Sequence, residues 1–163
     1  MWIRCELYVD RCELLLTTEI YNCKTVFMAL AGYSGTPLIK KLGIKPEMKV
    51  LLPGAPENYF QLLLSDISNQ FVVSPEIPDF VHLFAENNTV FKHKMKTILK
   101  LCKKKTSIII WVSWYKKSSG IATDLTEDII REFALQHNLV DIKVCAVSEE
   151  WSGLKLVVPV SKR

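Results

Sequence analysis

The first 31 of the 163 residues contain neither glycine nor proline; all six glycines and all seven prolines lie at or beyond Gly32. Three of the five cysteines, Cys5, Cys12 and Cys23, crowd into that same stretch. Residues 1–27 carry three bases and four acids, a net −1, against +5 for the remainder of a chain whose formal total is +4. Ile3, Cys5, Leu7 and Val9 alternate with Arg4, Glu6, Tyr8 and Asp10, the period of a β-strand. Met28 then opens MALAGYSGTP, which reads as a natural start. The expectation is an extension over residues 1–27, outside a single domain of residues 28–163. An edge strand added to that domain is the alternative.

Long apolar runs are also missing. The longest strongly apolar stretch, Ile108 to Trp114, is strand-sized, far short of the ~20 residues a membrane-spanning helix needs. The N-terminal MWIRCELYVDRCE mixes acids and bases and lacks the pattern of a secretory signal. The five cysteines show no CxxC pairing and no histidine at ligand spacing. They read as reduced, buried thiols in a cytoplasmic protein, with no metal. No GxSxG, HExxH or Walker GxxxxGK[ST] occurs, so hydrolase, zincin and P-loop chemistry have no sequence support and no catalytic residue is named. His82, between Val81 and Leu83, reads as a core histidine with one satisfied nitrogen; His93 and His137 read as exposed.

What is present describes one globular domain. Hydrophobic residues are 49% and charged residues 23% of the chain, a composition that is neither disordered nor fibrous. Thr36-Pro37 should cap and begin a short helix, LIKKL, ended by Gly43. Met48 to Leu52 is a short apolar strand closed by Pro53-Gly54-Ala55-Pro56. Glu57 to Ile67 has helical length and Phe71 to Val73 is a strand stub. Asp79 to Ala85 is a buried strand. Asn88 to Cys102 is an amphipathic helix with Phe91, Met95, Ile98, Leu99 and Cys102 on one face. Thr106 to Trp114, apolar on both faces, is a central strand. Asp124 should cap a helix running to His137, with Glu127 completing a capping box. Asp141 to Val147 and Leu154 to Val160 form a hairpin through SEEWSG. Strands alternating with helices predict an α/β, Rossmann-like domain: a mostly parallel sheet with helices on both faces and a C-terminal antiparallel hairpin.

The stretches YSGTPLIKKLGIKPEMKVLLPGAPENY, DFVHLFA and KKSSGIATDLTEDIIREFALQHNLVDIKVCAVSEEWSGLKLV resemble a small bacterial family of unknown function. Its members look like shortened, degenerate class I methyltransferase domains. The resemblance covers Gly32 to the C-terminus and implies a fold without an activity. The layout is similar to the second half of a methyltransferase, but the nucleotide turn departs from that pattern. LLPGAPEN has one glycine and two prolines, where a cofactor turn wants several glycines for close backbone approach. Only 26 residues, Pro53 to Pro78, precede the next strand, and Glu76 is the one candidate acid for ribose hydroxyls. S-adenosylmethionine is therefore not expected, and no cofactor is assigned.

In doubly wound sheets, ligands gather outside the carboxyl ends of the strands. The candidate site is accordingly Gly54, Glu86, Lys116, Lys117, Ser118, Ser119, Gly120, Glu150, Trp151 and Ser152. The lysines, serines and glycine beside a helix start would suit a phosphate or carboxylate, although Asp124 at the cap weighs against phosphate. Trp151 reads either as a stacking lid over a ligand or as a hydrophobic cap folded onto the sheet, the second being favoured. The seven lysines from Lys92 to Lys105 read as the solvated face of an amphipathic helix. No aromatic is interleaved there for base stacking, so nucleic acid is not expected as a partner. The expected function is a non-catalytic module binding a small anionic ligand or a protein partner. The alternative is an enzyme with a modified cofactor pocket built from Gly54, Lys116, Ser118 and Trp151.

Overall fold

A computed structural model describes residues 35–73 and 76–162; the expected extension over residues 1–27 lies outside them. The described elements are α1 (Leu38–Leu42), β1 (Val50–Leu51), α2 (Tyr59–Leu63), β2 (Phe80–Phe84), α3 (Asn88–Lys104), β3 (Ile109–Tyr115), α4 (Glu127–Gln136), β4 (Val140–Ala146) and β5 (Trp151–Val157), with short 3-10 turns at Ser68–Gln70, Lys117–Ser119 and Val160–Lys162.

The strands form one sheet in the order β1-β2-β3-β5-β4. β1, β2 and β3 are parallel, with Val50 beside Phe80 and Phe80 beside Ile109. β5 inserts between β3 and β4 and runs antiparallel to both, so β4 keeps the direction of the parallel strands. This is the expected α/β sheet, parallel in its first strands and closed by an antiparallel hairpin. Period-2 alternation assigns its faces. Val81, Leu83, Ile110 and Val112 point to one core with Phe91, Met95 and Ile98 of α3 and Ile130 and Ala134 of α4. Phe80, Phe84 and Trp111 point to the other, with Leu38 and Leu42 of α1 and Tyr59 and Leu63 of α2. Helices therefore cover both faces. Among the described residues no helix is long and apolar enough to cross a membrane.

Several boundaries differ from the sequence expectation. The first helix starts at Leu38, with Pro37 rather than Thr36 at the N-cap. The helix expected over 57–67 is reduced to Tyr59–Leu63 because Leu64 turns left-handed (φ 53°) and the Asp66 carboxylate takes the Ser68 N–H in a tight local turn. The stub at Phe71 survives as a single parallel bridge to Val50.

The cap of the penultimate helix moves as well. Thr126, not Asp124, is the N-cap of α4, its hydroxyl accepting from the Ile129 N–H. Asp124 instead reaches across to accept the Asn88 N–H, 2.8 Å away, at the start of α3. Its carboxylate thus sits on the positive end of a different helix. Finally, Trp151, Ser152 and Gly153 are strand rather than turn residues. The Ser148 hydroxyl accepts the Glu150 and Trp151 N–H groups, and that bond tightens the turn so that the last strand begins three residues before Leu154.

Candidate functional site

The carboxyl ends of β1, β2 and β3 and the start of β5 meet at one end of the sheet. Tyr115, the last residue of β3, pairs with Trp151, the first of β5. The Lys116 N–H donates to the Glu150 carbonyl at 2.7 Å, and the Lys116 ammonium donates to the Ser148 carbonyl at 2.6 Å. Lys116 thereby closes the 115–120 segment onto the 148–151 turn. The Trp151 indole, 6% exposed, packs edge-on against Phe84 at 5.1 Å and lies tilted on Tyr115 at 4.0 Å. Ser113, Trp111 and the Val147 side chain crowd Gly153, where a Cβ would come within 2.9 Å of Val147 Cγ2. That crowding explains a glycine in the middle of a buried strand.

The turn after β1 joins the same assembly through Lys94, which turns inward although the lysine run around it reads as a solvated face. Lys94 of α3 donates to the Phe84 carbonyl at 3.1 Å, and its ammonium lies directly over Gly54. Gly54 has φ +80°, and a Cβ there would meet both that ammonium and, at 2.8 Å, the Phe84 carbonyl oxygen. Left-handed backbone and close approach together demand glycine. The signal for Lys94 was its helical phase: it follows Phe91 by three positions, which puts it on the border of the buried stripe.

Gly54, Lys116, Glu150 and Trp151 are thus gathered in one place, with Ser152 half-buried beside Trp114 in the β3–β5 ladder. Ser119 spends its hydroxyl locally, donating to the Lys116 carbonyl and accepting the Ile121 N–H. Lys117, Ser118 and Gly120 are exposed at the rim. Glu86 is exposed too; its carbonyl accepts the Thr123 hydroxyl at 2.7 Å, which stitches the loop after β2 to the loop after β3. Burial first, then the nearby Glu86 and Glu150 carboxylates, raises the Tyr115 phenol above its ordinary value. The rim therefore presents both signs of charge around a filled centre.

Beneath it lies a polar chain inside the core. The Tyr59 hydroxyl is 2.9 Å from His82 Nδ1, and His82 Nε2 is 2.7 Å from the Ser113 hydroxyl. Both ring nitrogens are satisfied, where one was expected. His82 and Ser113 are wholly buried, with Phe84 4.3 Å from the imidazole. Burial depresses the imidazole to about 3 and raises the Tyr59 phenol. The serine–histidine–tyrosine order has the look of a nucleophilic relay, but with a phenol in place of an orienting carboxylate and sealed under Gly153 and Trp151. Its work is to join α2, β2 and β3.

A cavity of about 440 Å³ runs along the outer side of β1 and is lined by Leu52, Ala55, Pro56, Glu57, Phe60 and Phe71 among others. Among the described residues, Glu57 is the one charged group in its wall. Among the described residues no three His, Cys, Asp or Glu side chains gather as metal ligands.

The residues do not fit S-adenosylmethionine. The space over the Gly54 turn holds the Lys94 ammonium. Glu76 pairs with Lys49 at 2.7 Å, next to the amino end of β1 and away from the carboxyl ends where a ribose would lie. No family model and no curated protein matches the chain. One solved structure similar to it is a protein in the NADB-Rossmann superfamily from Streptococcus agalactiae, with 6% sequence identity and a TM-score of 0.42 over 76% of this chain and 68% of that one.

Proposed function

We propose that the protein is a non-catalytic, Rossmann-like binding module whose partner is a protein, engaged by the rim at the carboxyl ends of the parallel strands. One observation carries this reading: the crevice where a small anionic ligand would sit is occupied by the protein's own groups. Trp151 fills its floor, and the two lysines that point into it, Lys94 and Lys116, are held by the Phe84 and Ser148 carbonyls. A small anion would have to break one of those bonds, and a bond to a charged group is worth about 1.5–3 kcal/mol. The exposed side chains that remain, Glu86, Lys117, Ser118, Glu149 and Glu150, carry mixed charge, which suits another protein surface better than a phosphate.

The test has two arms. Thermal melts with millimolar phosphate, nucleoside triphosphate or S-adenosylmethionine should show no rise beyond an ionic-strength control, since a ligand that selects the native state must raise its melting point. A photo-reactive amino acid placed at Ser118 should yield a discrete protein adduct in cells, whereas the same group at Lys45, before β1, should not. A ligand-specific rise of several degrees overturns the reading, as does identical labelling at the two positions.

A further inference from the structure

Helix α3 carries the basic character of the whole chain. Seven of the 21 basic residues lie between Lys92 and Lys105, and no acid does. Without them the chain holds 14 bases against 17 acids. Two of the seven are used internally: Lys94 on the Phe84 carbonyl and Lys105 in an ion pair with Asp79. The other five, Lys92, Lys96, Lys100, Lys103 and Lys104, are exposed, and none has a carboxylate partner among the described residues.

Their spacing is regular. Lys92, Lys96, Lys100 and Lys104 follow one another at i, i+4, a step of about 6 Å along the axis, so the row extends roughly 18 Å on one side of the helix. Phe91, Met95, Ile98 and Cys102 hold the other side in the core, which fixes the backbone that carries the row. Like charges at i, i+4 repel, so the array gains nothing from its own arrangement and gains from a polyanion laid along it.

The geometry points to a sequence-independent site for the phosphate backbone of a nucleic acid along this row. The absence of stacking aromatics, which argued against nucleic acid from the sequence, bears on contacts to bases; phosphate contacts need only cations. Two competing occupants fit less well. Binding in the plane of a lipid surface relies on inserted apolar side chains, and none of the exposed large hydrophobic residues lies on α3. A protein partner would have to supply a matching row of acidic side chains, whereas a nucleic-acid backbone carries a negative charge at every nucleotide. The inference is independent of the rim reading, which concerns another surface.

The experiment is fluorescence anisotropy of the full chain with a labelled mixed-sequence 20-mer, as duplex and as single strand, at 50 and 200 mM salt. With three to five phosphates neutralised, duplex affinity should fall about 40- to 500-fold between the two salts. Lys96→Glu with Lys100→Glu should weaken binding at least tenfold and flatten the salt slope by about two, with an unchanged melting curve because both positions are exposed. The matched reversal Lys40→Glu with Lys45→Glu should change affinity less than threefold. No complex at 50 mM salt overturns the proposal. So does an equal loss in the matched control, which would mean net charge alone is at work. Binding to vesicles containing phosphatidylserine, without binding to either oligonucleotide, assigns the row to a membrane and overturns it too.

Discussion

Trp151 lies on Tyr115 with ring centroids 4.0 Å apart, so the first residue of the last strand and the last residue of the central strand close the carboxyl end of the sheet together. Trp151→Ala would leave a cavity bounded by Phe84, Tyr115 and Val147. A loss of about 3–5 kcal/mol is expected, the range for a buried aromatic, read from urea unfolding. A loss under 1 kcal/mol would show that the indole is a removable lid.

Gly54→Ala tests the turn after β1. The left-handed backbone alone costs about 1 kcal/mol for a side chain, and the collision with Lys94 and the Phe84 carbonyl adds to it. A loss of about 1–3 kcal/mol is expected. Removing the lysine as well, Gly54→Ala with Lys94→Ala, should recover only part of it, because the carbonyl stays. Full recovery in the double variant would mean that the lysine is the whole obstacle.

The exchange of caps can be separated by amide hydrogen exchange. Thr126→Ala should cost about 1 kcal/mol and speed exchange at Ile129. Asp124→Ala should instead speed exchange at Asn88, in α3, because its carboxylate holds that N–H. Faster exchange at Glu127 in the Asp124 variant would restore the capping box expected from sequence.

His82 predicts acid sensitivity. Its folded pKa, about 3, lies below the ordinary 6.5 because burial disfavours the charged ring. Below pH 6.5 the unfolded chain takes up a proton that the native core refuses. Stability should therefore fall as pH drops from about 6.5 toward 3, by up to ~1.4 kcal/mol per pH unit. Asp79, held below its ordinary value first by Lys105 and then by the Lys49 N–H, loses its contribution only as pH falls below about 4. Urea midpoints between pH 6.5 and 4.5 isolate the histidine. His82→Gln should be less stable at pH 7, and its midpoint should be nearly flat across that window.

The order of elements was legible because it rests on local periodicity. The stripe of Phe91, Met95, Ile98 and Cys102, the double-sided apolar run of β3 and the final hairpin signal each state their structure within a dozen residues. The capping box failed for the opposite reason. Asp124 and Glu127 satisfy a local rule, but Asn88, 36 positions earlier, offers a competing unpaired N–H that only chain folding brings near.

Composition and pattern by themselves determined an α/β domain, its strand order along the chain, the lysine-rich outer face of α3 and the burial of His82. Tertiary structure alone decided that β5 inserts between β3 and β4, that Lys94 turns inward over Gly54, that Lys116 is tied to the Ser148 carbonyl, and that Tyr59 and Ser113 complete the bonding of His82. The physical reason is range. Amphipathic periodicity is a property of neighbours in sequence, whereas satisfying a buried polar group depends on which carbonyl or hydroxyl another segment delivers to it, and no window of adjacent residues contains that partner.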